Sequence, residues 1–495
     1  MKKLTVLLSM AAVVAALAAG VSGVFDTGSQ TVHASRLAGI SQAGSTGIQV
    51  QNLDATQPAN VLAEFYKHGA TGSPVGIPRN GVPAGSATNI YLPLETTLQP
   101  GAYAAIISAD RQIAAIARTD WASSGGAAIY SNVIPSTEVA LPLAVIDYVK
   151  QSSIVSIQNT DTTQTASVAV ELYATGNASA VLTQNYSINP GTAMTIDLGN
   201  NPAFLGVQDN TAQGFLGSML VKSAVPVGVQ SFVDITSSDM AVYAFEGVPS
   251  ENASDTLYAP LIRRQQQPSP GTFYDTGISV VNPNASPVDV TVTYYGGLLA
   301  CAGNTYTHGP INIAAGSSHV FYQGPDSTLA DKNGLPDNCV GSAVITSTGG
   351  NVLAIVNDSL NFTVQSAAYN AASADQSATK VALPLARNRH VPGYDFTTGI
   401  QIMNVGTSVA NVDVMFADNN GTPLNTCGAD CTSTIQPNAS FTIIPGVGNN
   451  AMPADSYGSA VVNSSNGQPL VVIVNDFSFA GRTDAATYNG IKADL

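Results

Sequence analysis

The chain has 495 residues, of which 45% are hydrophobic and only 10% charged, against roughly 25% charged in a typical soluble protein. Its 17 basic and 32 acidic residues leave a net charge of −15. That balance provides no cationic surface for phosphate backbones or anionic lipid, which excludes nucleic acid as an expected partner, and the apolar content excludes a disordered chain.

At the N-terminus, Lys2 and Lys3 precede an apolar run from Leu4 to Gly20, the arrangement of an export signal. Val32, His33 and Ala34 before Ser35 form a small-x-small cleavage site, and Val21, Ser22 and Gly23 an earlier one. The expectation is a signal peptide over 1–34 and a secreted, extracellular mature chain with no membrane span after cleavage. Counted on to Phe25, the run nears the ~20 residues of a retained anchor, which is the competing reading.

The rest of the chain repeats itself. One opening phrase recurs four times: TGIQVQN ending at Asn52, SIVSIQN at Asn159, TGISVVN at Asn282 and TGIQIMN at Asn404, spaced by 107, 123 and 122 residues. A polar turn and an alternating strand follow each phrase. Val288, Val290, Val292 and Tyr294 share one face of the third copy, as do Ala410, Val412, Val414 and Phe416 in the fourth. The earlier copies repeat this with Val61, Ala63 and Phe65 and with Val168, Val170 and Leu172. Period-two alternation predicts half-buried strands.

A closing phrase, two apolar strands about a Gly/Asn/Ser turn, ends at Asp120, Asp234, Asp358 and Asp476, at 68, 75, 76 and 72 residues from the opening asparagines. It reads as a hairpin. A tyrosine follows each time (Tyr130, Tyr243, Tyr369, Tyr488), and then an ALPL or APL phrase at 140–143, 259–261 and 382–385, read as a stiff linker or first strand. The segment 262–270, with Arg263 and Arg264, reads as a linker or an excursion of the first strand, its arginines exposed to proteolysis. No capped amphipathic helix follows the leader. The expected organisation is all-β, with sandwich units at 35–138, 139–256, 257–380 and 381–495.

The phrase ISVVNPNASPVDVTVTYYGG followed by INIAAGSSHVFY resembles bacterial cell-surface immunoglobulin-like sandwiches, including the adhesion-related type. It is also similar to exported tandem β-repeat proteins whose copies end in a GSAVV…VVND phrase. The resemblance implies four tandem immunoglobulin-like β-sandwich domains and a structural or adhesive surface role, and it carries over no catalytic residue. The first copy departs most, with IAAIARTD where the others close on the common phrase.

Four cysteines allow three pairings, and local folding favours Cys301–Cys339 and Cys427–Cys431. Export favours oxidation, and the spacings do not suit a four-cysteine metal site. His68, His308, His319 and His390 fall in different units without metal or general-base spacing, and no nucleophile elbow, P-loop or dinucleotide fingerprint occurs. No enzymatic activity and no cofactor are therefore expected. Calcium is the weak candidate, either at the closing aspartates or at Asp326, Asp331, Asn333 and Asp337, against turn-forming and solvated-loop roles. The opening asparagines read as turn starters, and Trp121 as edge packing or a sugar platform. The expected function is a non-enzymatic structural subunit of a surface layer, filament or matrix, its copies run as a rod or curved array that docks through the ALPL joints. Its partners would be further copies or envelope components. The alternative is an adhesin or carbohydrate-binding surface protein.

Overall fold

Alternation and burial build each copy from two facing antiparallel sheets. The computed structural model describes all residues except 1–3, 7–29, 34–43, 69–72, 100, 102, 122–125, 208–213, 236–241, 325–334, 362–364, 427–430, 447–450, 479–484 and 494–495. The described chain is all-β apart from three single-turn 3₁₀ segments, and no helix in it is long and apolar enough to cross a membrane. The opening strands are Gly44–Asn52, Gln151–Asn159, Thr272–Val281 and Phe396–Asn404. The alternating strands that follow, Ala59–Lys67, Ala166–Ala174, Val288–Leu299 and Ala410–Ala417, bury the predicted faces. Each copy has its own apolar cluster.

The closing phrase is not a hairpin. Cys339–Thr348 pairs with Val288–Leu299 in one sheet, whereas Leu353–Leu360 pairs with Thr272–Val281 in the other. Ser456–Ser464 and Leu470–Ser478 divide the same way, and in the second copy one unbroken strand, Phe215–Ile235, serves both sheets. Each of these strands has a hydrogen-bonded neighbour on either side within its own sheet. The chain therefore crosses between the sheets instead of doubling back. Gly217, Gly341 and Gly458 permit this packing: a Cβ there would stand 2.0, 2.2 and 2.0 Å from the carbonyl oxygens of Tyr173, Tyr295 and Ala417.

The ALPL phrases lie inside the first strands Ser136–Ile146, Thr256–Arg264 and Lys380–Asn388, with a register shift at each proline. A bulge is where a strand tolerates proline, so these segments are core strands and not joints. The segment after Arg264 is an excursion of the first strand: Gln266–Ser269 folds back on Thr272–Val281. Its arginines are not exposed, since Arg263 pairs with Asp358 at 3.5 Å and Arg264 with Asp337 at 3.0 Å. Of the expected leader, only Leu4–Val6 and Gln30–His33 are described. Both form short strands along Tyr103–Ala109, the place that the first strands hold in later copies. The Cys301–Cys339 disulfide is present. Cys431 is also disulfide-bonded, while Cys427 lies outside the described residues.

The opening asparagines do more than start turns. Asn52, Asn159, Asn282 and Asn404 are fully buried and make one bonding pattern four times. Each Oδ1 accepts the backbone N–H two residues on, at 2.9–3.0 Å. Each Nδ2 donates to a carbonyl of the following turn, at 2.6–2.8 Å. It also donates to the carbonyl of Val82, Ile188, Ile313 or Ile435, at 2.8–3.1 Å. That second carbonyl belongs to the other sheet, so one amide ties both sheets and two turns. The tyrosine hydroxyls of Tyr369 and Tyr488 add a clamp, each donating at 2.7 Å to the carbonyl of a bulged first-strand leucine, Leu261 or Leu385.

The outer-strand carbonyl that each opening asparagine holds precedes a turn with a left-handed residue at Gly85, Gly191, Gly316 and Asn438 (φ +69°, +69°, +68° and +62°). This turn is the surface on which the preceding copy packs. Gly191 lies against the Tyr66 ring and Gly316 against the Tyr173 ring, and Asn438 Nδ2 donates to Tyr295 Oη at 3.2 Å. Ser317 and Ser342 hydroxyls add bonds across the second and third joints. The fourth copy then meets the first. Asn89 Nδ2 donates to Tyr457 Oη at 3.0 Å, Gln49 Nε2 to Asn419 Oδ1 at 3.2 Å, and Arg118 pairs with the buried Asp476. The apolar clusters also cross these joints: Phe232 joins the first copy's cluster, Ile355 the second's, Ile473 the third's and Ile116 the fourth's. A head-to-tail contact generates a ring when its rotation closes, and here it closes after four copies. The copies form a cycle, not a rod.

Two stability outcomes follow. Asn404→Asp replaces a donor by a carboxylate facing two carbonyls and is expected to cost about 3 kcal/mol, read as a lowered midpoint in chemical denaturation. In the second copy, Val145 and Val233 occupy the register positions of Arg263 and Asp358. Arg263→Val alone strands a buried carboxylate and should cost about 3 kcal/mol, whereas Arg263→Val with Asp358→Val should return the midpoint to within ~1 kcal/mol of the wild type.

Candidate functional site

The strand that carries the closing tyrosine region of each copy, Gly126–Tyr130, Val242–Glu246, Gln365–Asn370 and Ala485–Asn489, is the inner edge of its sheet, and the four pack in a cycle about a common axis. Small and aromatic residues make this close approach possible. The Tyr130 and Phe232 rings meet edge to face at 5.1 Å across the first joint.

Register places Tyr130, Phe245, Tyr369 and Tyr488 at one equivalent position, paired with Ala117, Ser231, Val356 and Val474. Tyr243 is therefore not the second member of the tyrosine series, and its hydroxyl instead donates to Gln151 Oε1 at 2.9 Å. The residue after each series member is polar: Ser131, Glu246, Asn370 and Asn489. These four interlock at the axis. Ser131 donates to Glu246 Oε1 through its backbone N–H, and through its hydroxyl at 2.6 Å. Asn370 Nδ2 donates to Glu246 Oε2 at 3.0 Å, Asn489 Oδ1 accepts from Asn370 N at 3.1 Å, and Asn489 Nδ2 donates to Asn370 O at 2.7 Å.

The cluster lines a cavity of roughly 190 Å³ with an apolar wall that includes Val248, Val381 and Val472, and with Asp375 and Lys492 also on its lining. Glu246 is 7% exposed, and burial raises its pKa above the ordinary carboxylate value against the opposing effect of the Ser131 bonds. Asn370 Oδ1 is buried without a hydrogen-bond partner. The pocket can accept hydrogen bonds from a small polar group. Glu246 was not singled out in the sequence; its one available signal is a lone acid following an aromatic at the end of an apolar strand. Tyr66, Tyr173 and Tyr295 at the joints were likewise missed, although each directly follows the alternating apolar run.

The closing aspartates fall into two register classes. Asp358 and Asp476 pair with Thr276 and Thr398, six residues before the opening asparagine, whereas Asp120 and Asp234 pair one step further out, with Ser45 and Ser152. They therefore point to opposite faces of their strands. Asp476 is bound by Arg387 and Arg118, and both guanidinium groups lie over the Phe396 ring, at 4.3 and 4.6 Å. Asp358 faces Arg263, with the Tyr274 ring 4.2 Å from the guanidinium. Asp120 takes the Arg118 Nε–H at 2.8 Å. Burial first, and the Asp197 charge second, push Asp234 up to about 6. Asp326, Asp331 and Asn333 lie outside the described residues, and Asp337 is an exposed ion-pair partner. Among the described residues no group of three or more His, Cys, Asp or Glu could hold a metal. The Trp121 backbone pairs with Gly44 and Gly126. Burial lowers His68 to about 4, His308 and His319 pack on Phe321, and His390 stacks on Tyr457.

No family model and no curated protein matches the chain. Among solved structures, a Thermotoga maritima protein aligns over 23% of this chain and 96% of its own, at 16% identity and TM-score 0.20. A glycoside hydrolase family 32 protein from Bifidobacterium adolescentis aligns over 94% and 99%, at 7% identity and TM-score 0.14. A GH78 family rhamnosidase of Bacillus sp. GL1 aligns over 95% and 55%, at 9% identity and TM-score 0.10. At TM-scores this low none of these likenesses carries functional meaning.

The raised carboxyl of Asp234 sets a pH dependence. The fold favours its protonated form, so its contribution is complete below the ordinary carboxyl pKa of 3.8 and is lost as pH rises toward about 6. Glu246 acts in the same direction. Asp234→Asn should remove on the order of 2–3 kcal/mol of that fall, read as a flatter plot of melting temperature against pH between about 4 and 7.

Proposed function

We propose that this is a non-enzymatic, exported structural protein of the cell surface, made of four immunoglobulin-like sandwiches that follow a signal peptide. The single observation that carries the reading is the cycle: one head-to-tail joint recurs four times and returns to its start. Such a particle is a self-limited building block. Its joint surfaces are consumed internally, so attachment to neighbours falls to the outer surface, and the strong negative charge (−15 for the whole chain, more once Lys2 and Lys3 are removed) keeps separate particles from collapsing onto one another nonspecifically.

The leader belongs to this proposal. Cleavage after Ala34 removes Gln30–His33 and leaves Tyr103–Ala109 without its neighbour on that side. Cleavage after Gly23 keeps Gln30–His33 and so covers Ala104–Ile107, while either cut removes Leu4–Val6. We therefore place the cut at the earlier site.

Fractionation of expressing cells, negative-stain microscopy of the cell surface and of the purified protein, and intact-mass measurement test the proposal together. The expected result is surface-associated, closed particles whose mass begins at residue 24. Recovery inside the cell, or wholly as free monomer in the medium, overturns the surface role, and a mass beginning at Ser35 overturns the placement of the cut. Retention of sugars by the protein on a glycan array would favour the adhesive reading instead.

A further inference from the structure

Each copy ends one sheet on an outer edge strand, and the four equivalents differ in how they treat that edge. Val75–Val82 contains Pro78 and Arg79, pairs Arg79 with Glu95, and has a register shift against its neighbour between Ala59 and Val61. Thr305–Ile313 is interrupted by Gly309 and Pro310, with a register shift between Val290 and Val292. Thr432–Ile435 has only four residues. Proline, charge, a bulge and shortness are the devices by which edges refuse further strands. Leu182–Ile188 has none of them. Its sequence LTQNYSI carries no proline, glycine or charge, and it pairs with Ala166–Ala174 in unbroken register from Ala166 opposite Ile188 to Leu172 opposite Leu182. Its other side has no strand partner among the described residues.

We propose that Leu182–Ile188 is a self-pairing edge through which two copies of this chain join, antiparallel, into one continuous sheet. A twofold axis through Asn185 sets Thr183 opposite Ser187 and Gln184 opposite Tyr186. Every one of these side chains both donates and accepts hydrogen bonds, so the strand is its own complement. A second copy is favoured over a foreign extended peptide because the twofold gives Thr183, Gln184, Asn185, Tyr186 and Ser187 each a donor-and-acceptor partner from the same strand, a match that only a second copy supplies at every position. A partner chosen by charge is disfavoured too, since the strand carries none and Lys222 beside it is already paired with Glu171 at 2.8 Å, and the repulsion between two acidic chains falls with salt. Seven residues bury less than the roughly 1,200 Å² of a stable interface, so the pairing is weak and concentration-dependent.

The inference deepens the structural role proposed above, and its test separates the two. Sedimentation velocity of the full mature chain, over a concentration series at low and high salt, should show a reversible dimer that strengthens with salt. Asn185 is exposed, and Asn185→Asp sets like charges face to face across the twofold, which should weaken association roughly tenfold or more without changing the circular dichroism. Asn185→Lys should do the same, and mixing the two variants should restore association. Closed particles in negative stain from all of these samples show that the cycle itself is intact. A wild-type chain that stays monomeric, or a dimer indifferent to both substitutions, overturns the pairing. Either result leaves the surface role to be judged by fractionation.

Discussion

One buried amide governs the geometry from which the rest is built. An asparagine at the end of the opening strand has no water to bond with, so its donor must find carbonyls inside the protein. In all four copies it finds the same one, at the end of the outer strand of the facing sheet. That carbonyl is the last before the left-handed turn that forms the joint. The amide therefore fixes the spacing of the two sheets and the height at which the turn is presented to the next copy. A serine or aspartate cannot replace it, because neither supplies two N–H donors from one atom.

Closure follows from repeating that geometry, and the fourth joint shows how the constraint is met. Tyr66, Tyr173 and Tyr295 cover the turn of the copy that follows. The equivalent residue in the fourth copy is Ala417. Gly421, in the loop beyond it, comes up against Ser86 and Pro83 instead, and Tyr457 bonds to Asn89 and Gln49. A chain passes through the first three joints, which holds each pair of copies together. The last joint has no such tether, and it is also the one where a buried arginine crosses to a buried aspartate. Arg387 of the fourth copy also holds Asp476, and Asp120 also holds Arg118, so the crossing pair joins two ion pairs that each copy already has and specifies the ring's last contact more than it stabilises it.

What the sequence revealed and what it hid divide along this line. The opening phrase, the alternating faces and the Cys301–Cys339 pair were legible because each obeys a local period or a local pairing. The first-strand reading of ALPL was legible, and its rival, a joint between units, fails because the bulge keeps the proline inside the sheet. The crossover within the closing phrase was hidden because two apolar runs about a glycine turn look the same whether they pair together or divide between sheets. In the second copy even the turn is absent. The two register classes of the closing aspartates were hidden for a related reason: a shift of one residue reverses the face and leaves the spelling almost unchanged. The cycle itself left no local sign, since a joint is made of residues from two copies and neither half is complete alone.

The axis explains why four copies in one chain are not equivalent to four identical subunits. With identical subunits, a glutamate at the position of Glu246 would place four carboxylates around one small cavity, and most would have to be protonated or expelled. Joined copies can differ there. Ser131 supplies two donors, Asn370 a third, and Asn489 closes the bonding beyond it, so a single carboxyl is accommodated by three neutral neighbours. The same freedom lets one copy hold Val145 and Val233 where two others hold an arginine–aspartate pair. Both changes require their partner to change with them. A fused repeat can make such paired changes one copy at a time, and a symmetric assembly must make them everywhere at once.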